Sequence, residues 1–241
     1  MKYIFELFLT TLSFLTILPS KRISKNFGFK MFIFFPFVGL LIGIVCFLLI
    51  KFFKRFFSLE VSVIFTLFFY VLISDYLHLD GFVDTIDAMF GSIKKEYVEI
   101  LKDPHIGVVG CIFLFMVLLT KYFLFFNNKE LVYILTPVFS KTGLVFVGLF
   151  GRKLTDGIGE KFLHKSFFVT ILSSVFSLMI FLLILRNILY SLFFVFLCFL
   201  FSFVIVSFFN KKFGGVNGDT FGFINEILEI LFLTIFAGSK I

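Results

Sequence analysis

The stretch Ser166–Phe209 reads SFFVTILSSVFSLMIFLLIL, then Arg186-Asn187, then ILYSLFFVFLCFLFSFVIVSFF. Two apolar runs, 166–185 and 188–209, are separated by one polar pair. A helix that crosses a bilayer needs about 20 mostly apolar residues, so each run is long enough to span. Stretches of the same kind run at 28–50, 59–79, 107–126, 131–150 and 220–238. The expectation is an all-α, polytopic integral membrane helical bundle of about seven spans. A shorter apolar helix over 3–18 precedes them. With Lys2 ahead of it that segment has the look of a signal peptide, but it contains Glu6 and lacks a small-residue cleavage pattern, so it reads as retained and marginal for spanning.

Composition agrees with this reading. Of 241 residues, 60% are hydrophobic and 45 are Phe, with a mean hydropathy of +1.12. A soluble domain is typically about 45–50% apolar, and a water-soluble fold of this composition would leave large apolar areas wet. The connectors are short, with only Asp80–Ile106 and Gly151–Lys165 long, so residues 1–241 form a single membrane domain. Cys46, Cys111 and Cys198 each sit in a separate apolar stretch, with no spacing that holds zinc or defines a disulfide framework. The net charge of +7 is spread through the connectors, which excludes a nucleic-acid patch and points to membrane topology. Segments 20–30, 80–106, 151–165 and 210–219 hold 13 Lys and Arg. The alternate set, 51–58, 121–130, 186–187 and the C-terminus, holds 7. The first set is expected on the cytoplasmic side, and it contains every connector rich in Gly and Asp.

After the 59–79 stretch comes His78-Leu79-Asp80-Gly81-Phe82-Val83-Asp84-Thr85-Ile86-Asp87. If this segment is helical, steps of about 100° bring Asp80, Asp84 and Asp87 within an arc of roughly 60°. Like charges so placed repel, and near a bilayer their desolvation adds to the cost, so they call for a divalent cation or basic partners. Mg²⁺ suits carboxylates, waters and substrate phosphates, and no His/Cys set favours zinc. Gly81 allows a phosphate or another helix to come close. The competing account is a solvated helix end whose acids pair with Lys94, Lys95 and Lys102.

Asp103-Pro104-His105-Ile106-Gly107 reads as a helix start, with Asp103 as N-cap and Pro104 at the first helical position. A second role for Asp103 is to lend a fourth carboxylate to the metal. On the same face lie Arg152, Lys153 and the glycines of Asp156-Gly157-Ile158-Gly159. Lys211-Lys212-Phe213-Gly214-Gly215-Val216-Asn217-Gly218-Asp219-Thr220 follows later. Glycine-rich turns beside basic residues that open into a helix can cradle phosphate; flexible turns with ordinary positive-inside charge are the alternative. Lys141 and Glu229 fall within or near spans and are expected to find partners inside the bundle.

Taken together and in order, these segments resemble the membrane cobalamin synthases, the adenosylcobinamide-GDP ribazoletransferases. The resemblance covers nearly the whole chain. It is carried by Phe14-Leu15-Thr16-Ile17-Leu18-Pro19, Phe35-Pro36-Phe37-Val38-Gly39, the 78–87 segment, Lys102-Asp103-Pro104-His105-Ile106-Gly107 and Gly214-Gly215-Val216-Asn217-Gly218-Asp219-Thr220. It implies a multi-pass enzyme of a prokaryotic inner membrane, its active site facing the cytoplasm. The implied reaction is Mg²⁺-dependent attack of a hydroxyl of α-ribazole, or of its 5′-phosphate, on the corrinoid-linked phosphorus of adenosylcobinamide-GDP, releasing GMP. By the same resemblance Asp80, Asp84 and Asp87 are catalytic and hold the metal with Asp103. Gly81, Asp103, Arg152, Gly157, Gly159, Gly214, Gly215, Gly218 and Asp219 are the expected substrate-binding positions. Lys141 and His105 stand where Arg is common in the family, and Asn217 where Thr is usual.

Two other readings compete. CDP-alcohol phosphotransferases also use clustered Asp, but their motif begins Asp-x-x-Asp-Gly, and here Leu77 holds the first position. A transporter would place its acids deep within spans rather than at one end.

Overall fold

The computed structural model describes residues 2–19, 27–91, 97–101 and 105–238. Ten helices follow in order: α1 Lys2–Leu15, α2 Phe35–Phe53, α3 Leu59–Tyr70, α4 Tyr76–Gly91, α5 Tyr97–Ile100, α6 Val108–Asn127, α7 Val132–Phe150, α8 Phe167–Leu185, α9 Ile188–Lys212 and α10 Gly218–Gly238. Short 3₁₀ turns at Phe29–Phe34 and Gly159–Phe162 sit in the connectors. Among the described residues the only β pairing is an isolated parallel bridge between Lys153 and Val216.

Among the described residues six segments are long and apolar enough to cross a membrane: Phe29–Phe53, Val108–Asn127, Val132–Phe150, Phe167–Leu185, Ile188–Lys212 and Gly218–Gly238. The chain is thus a polytopic helical membrane protein. α1, at 14 residues, rises about 21 Å and falls short of the roughly 30 Å hydrocarbon core. The reversal between α8 and α9 follows from its two polar residues. Arg186 adopts a left-handed conformation (φ 53°) that ends α8, and the Asn187 side chain accepts from the N–H groups of Leu189 and Tyr190 at 3.0 and 3.2 Å to start α9.

The expected straight span over 59–79 is corrected by the structure. α3 runs into a π turn at Val71–Asp75, and the segments Leu59–Ser74 and Tyr76–Gly91 lie at 85° to each other. π turns widen the backbone and redirect the helix. The run of apolar residues hides the break, which falls at the polar pair Ser74-Asp75.

α7 forms the centre of the bundle and is buried over nearly its whole length, with α2, α8, α9 and α10 packed around it. Lipid is as apolar as leucine, so helix association relies on close packing and polar contacts between helices. Thr142 donates to Ser177 Oγ at 2.9 Å, joining α7 to α8, and Ser202 donates to the Gly143 carbonyl at 2.9 Å, joining α9 to α7. The outer surfaces stay apolar: Leu183 and Leu189 are 75% and 74% exposed, as expected for side chains that face lipid.

The alternation of connectors is realised in space. At one end the Gly28 backbone lies against Lys161, and the 151–165 and 213–217 connectors are joined by Val216 N–H to the Arg152 carbonyl (2.8 Å) and Leu154 N–H to the Val216 carbonyl (3.2 Å). At the other end Lys54 pairs with Glu130 at 2.6 Å. Lys121, counted above as a connector residue, instead lies fully buried on α6. Its removal from that tally widens the charge asymmetry.

Candidate functional site

At Gly81 and Gly222 the backbones of α4 and α10 meet with no side chain between them. A Cβ on Gly81 would stand 2.8 Å from the Asp219 Cα and carbonyl oxygen, and one on Gly222 would stand 2.7 Å from the His78 carbonyl. The missing side chain of Gly81 therefore admits the neighbouring helix. The consequence is electrostatic: Asp219 at the start of α10 joins the acids of α4, and Asp84 has the charges of Asp219, Asp80 and Asp87 around it.

Asp80, Asp84 and Asp87 do share one face of one helix, turned away from buried Phe82 and Ile86. Their partners differ. Both oxygens of Asp87 accept backbone N–H groups at the start of α6, Oδ2 from Gly107 and Oδ1 from Gly110, each at 2.7 Å. The expected cap, Asp103, lies outside the described residues, and α6 begins at Val108 with a carboxylate from α4 as its cap. His105 is exposed. Asp219 is held by its neighbour: the Asn217 side-chain N–H donates to Asp219 Oδ2 at 2.7 Å. The Asn217 side-chain oxygen meanwhile accepts from Thr220 N–H at 3.0 Å, closing the first turn of α10.

A cavity of about 470 Å³ opens beside this cluster, within the range of small-molecule sites. Asp80 and His78 of α4 line it, as do Asn217, Gly218 and Asp219 of α10. The 155–160 connector, with Gly157 and Gly159, supplies the facing wall. Phe14 and Leu15 of α1, Phe32, Phe35, Leu144, Phe162 and Phe221 make the rest largely apolar. Its lining includes four carboxylates, Asp80, Asp156, Glu160 and Asp219, and no Lys or Arg among the described residues.

The remaining expected positions fall elsewhere. Arg152 does not line the cavity; its backbone N–H donates to Asn210 Oδ1 at 2.9 Å. Lys153 is paired within its own loop with Asp156 at 2.5 Å and Glu160 at 2.7 Å. Gly215 packs against the Arg152 carbonyl, and Gly214 takes a φ of 90° that favours glycine; neither lines the cavity. Among the described residues no three His, Cys, Asp or Glu side chains are gathered so as to hold a metal ion by themselves.

Sequence reasoning missed several residues. Tyr97 of α5 stacks on Phe213 with ring centroids 4.1 Å apart, beside the Thr85 and Thr220 hydroxyls, and burial pushes its phenol up to about 12. The aromatic lining was also unforeseen, because its rings come from separated parts of a chain in which Phe is everywhere.

Deeper in the bundle lies a buried polar network. Lys121 contacts Glu226 at 2.6 Å and Glu229 at 2.7 Å. Tyr70 and Ser140 donate to Glu229, and Lys141 donates to Asn225 Oδ1 at 2.8 Å. Lys141 and Glu229 thus do have partners inside the bundle, but with different residues.

Comparison with known proteins accords with this architecture. The model of the cobalamin-5-phosphate synthase family matches residues 7–237. An adenosylcobinamide-GDP ribazoletransferase of Thermodesulfovibrio yellowstonii is 34% identical, with 95% of each chain covered. Proteins of the same name from Clostridium botulinum and Clostridium kluyveri are 32% and 30% identical, with 98% and 96% of each chain covered. No solved structure matches. A family model spanning almost the whole chain, with relatives of matching length at this identity, establishes that the chain belongs to the cobalamin-5-phosphate synthase family.

Proposed function

We propose that this chain transfers adenosylcobinamide phosphate from adenosylcobinamide-GDP to α-ribazole or its 5′-phosphate, releasing GMP, on the cytoplasmic face of a prokaryotic inner membrane. The observation that carries the reading is the cavity lining: four carboxylates and no Lys or Arg among the described residues, in a family whose named members act on a GDP-linked substrate. Lys153 balances Asp156 and Glu160, so the negative charge that a diphosphate meets is chiefly that of Asp80 and Asp219 unless a cation comes between them.

The donor set suits Mg²⁺, which takes oxygen ligands and binds through one or two carboxylates, completing its shell with waters and substrate phosphates. Asp80 and Asp219 would hold it from the cavity wall, with Asp84 next to both. When bound, it supplies charge neutralisation at the phosphates. The acceptor hydroxyl oxygen forms a bond to the corrinoid-linked phosphorus, the bond from that phosphorus to the bridging oxygen of GMP breaks, and GMP departs with that oxygen. The hydroxyl proton passes to a carboxylate of the cavity wall, Asp80 or Asp219. Asp87 acts at one remove, pinning α4 to the start of α6 so that the acids keep their positions. Positioning and electrostatics supply most of the rate in phosphoryl transfer generally.

The test is direct. Purified protein in nanodiscs, given adenosylcobinamide-GDP, α-ribazole and Mg²⁺, is expected to release GMP and form the nucleotide-loop product, and to stop when the metal is chelated. Absence of GMP release with either ribazole form refutes the proposal.

A further inference from the structure

The cavity has two chemically distinct parts, and transfer between phosphates uses only the acidic one. Toward the other part stand Phe14, Leu15, Phe32, Phe35, Leu144 and Phe162, which offer no side-chain hydrogen-bond donor or acceptor. The rings are already set against each other: Phe14 and Phe162 stack at 4.9 Å with planes 20° apart, and Phe162 also meets Phe32 and Phe221. We infer that this apolar part seats the aromatic base of the acceptor nucleoside, with Phe14, Phe162 and Phe221 determining which base is accepted. The inference rests on the ribazole-transfer reading above.

Three observations favour this occupant. The volume, about 470 Å³, suits one nucleoside, and a corrinoid ring with its side chains is far larger, so the donor reaches the acids from outside with only its phosphates entering. Guanine carries polar atoms around its edge, and each would lose water here and find no side-chain partner. The benzimidazole of ribazole presents a hydrocarbon edge that aromatic rings accept. Because both parts belong to one cavity, a base lodged among the rings turns its ribose toward Asp80 and Asp219, where the attacking hydroxyl is needed.

The experiment separates this inference from the function it rests on. α-Ribazole is titrated into the full-length protein in nanodiscs with Mg²⁺ and no donor, and binding is followed by the fluorescence of the benzimidazole. Guanosine serves as competitor. Saturable binding that guanosine does not displace is expected. The half-buried position of Phe14 makes Phe14→Ala the gentler variant, and it should weaken binding and raise the acceptor KM about tenfold, as loss of one stacking ring from a base does. The donor KM should hold, and Phe14→Tyr should restore binding. Phe221→Leu provides a second position, with the same direction expected. Ribazole binding without GMP release would overturn the reaction and leave the base seat standing. Equal competition by guanosine, or an acceptor KM unmoved in both Phe14→Ala and Phe221→Leu while GMP release continues, overturns the base seat and leaves the reaction.

Discussion

Replacing Lys121 with Met tests the account of the buried network. The Lys121 ammonium lies 2.6 Å from Glu226 and 2.7 Å from Glu229, with all three side chains fully buried. Removing one partner from a buried ion pair costs about 3–5 kcal/mol, because the remaining charge is stranded without water. At about 2–4 °C per kcal/mol for a chain of this size, the midpoint of unfolding should fall by on the order of 10 °C. The control keeps the charges balanced. Lys121→Met combined with Glu226→Gln leaves one cation, Lys141, and one anion, Glu229, which retains its bonds from Tyr70, Ser140 and Asn225. This double variant should recover most of the loss, since well-packed neutral replacements of a buried pair are often tolerated. The assay is the fraction of detergent-solubilised protein that remains monodisperse after heating through a temperature series. A single variant as stable as the parent, or a double variant as unstable as the single, refutes the reasoning.

Asp84→Asn should lower GMP release about 100-fold or more while the midpoint of unfolding holds, the size of effect seen when one charged group is lost from a preorganised site. Asp87→Asn should differ, because one of the two accepting oxygens becomes an NH2 donor and the bonds from the Gly107 and Gly110 N–H groups cannot both be kept. A loss of about 1 kcal/mol in stability, read as a lowered midpoint, accompanies the lost activity; equal midpoints in the two variants would contradict the capping role. His164, in the connector before α8, has its affinity for protons lowered from the usual 6.5, chiefly by burial. The folded state therefore favours the neutral ring, so the stability it contributes is complete above about 6.5 and is lost as pH falls below it; His164→Gln should flatten that dependence in thermal scans. With Cys111 replaced by Ala, cysteines at Asp156 and Phe56 should label with an impermeant reagent from opposite sides of the membrane, Asp156 from the cytoplasm; labelling of both from one side breaks the topology.

Much of this molecule was legible because lipid imposes simple demands. Length and apolarity mark the spans, and the expectation that Lys141 and Glu229 need partners follows from the cost of bare charge in hydrocarbon. Helical spacing alone put Asp80, Asp84 and Asp87 on one face. What escaped depends on contacts between distant segments. The cap of α6 comes from Asp87, 20 residues before Gly107, where the local pattern Asp103-Pro104 suggested a nearer one. Lys121 looks like a residue at the edge of a connector until the acids of α10 are seen across from it. The turn at Val71–Asp75 has no Pro or Gly to announce it, and apolar periodicity reads straight through a π turn. The aromatic cavity lining has no local signature at all.

The bare seam between α4 and α10 works as a spacer made of nothing. Gly81 and Gly222 let one backbone rest on the other, so the gap between Asp80 and Asp219 is set by main-chain thickness rather than by rotamers that can flex. A single methyl group at 81 or 222 would wedge the two helices apart and move both acids at once, so these two hydrogen-only positions fix the spacing that the proposed chemistry needs.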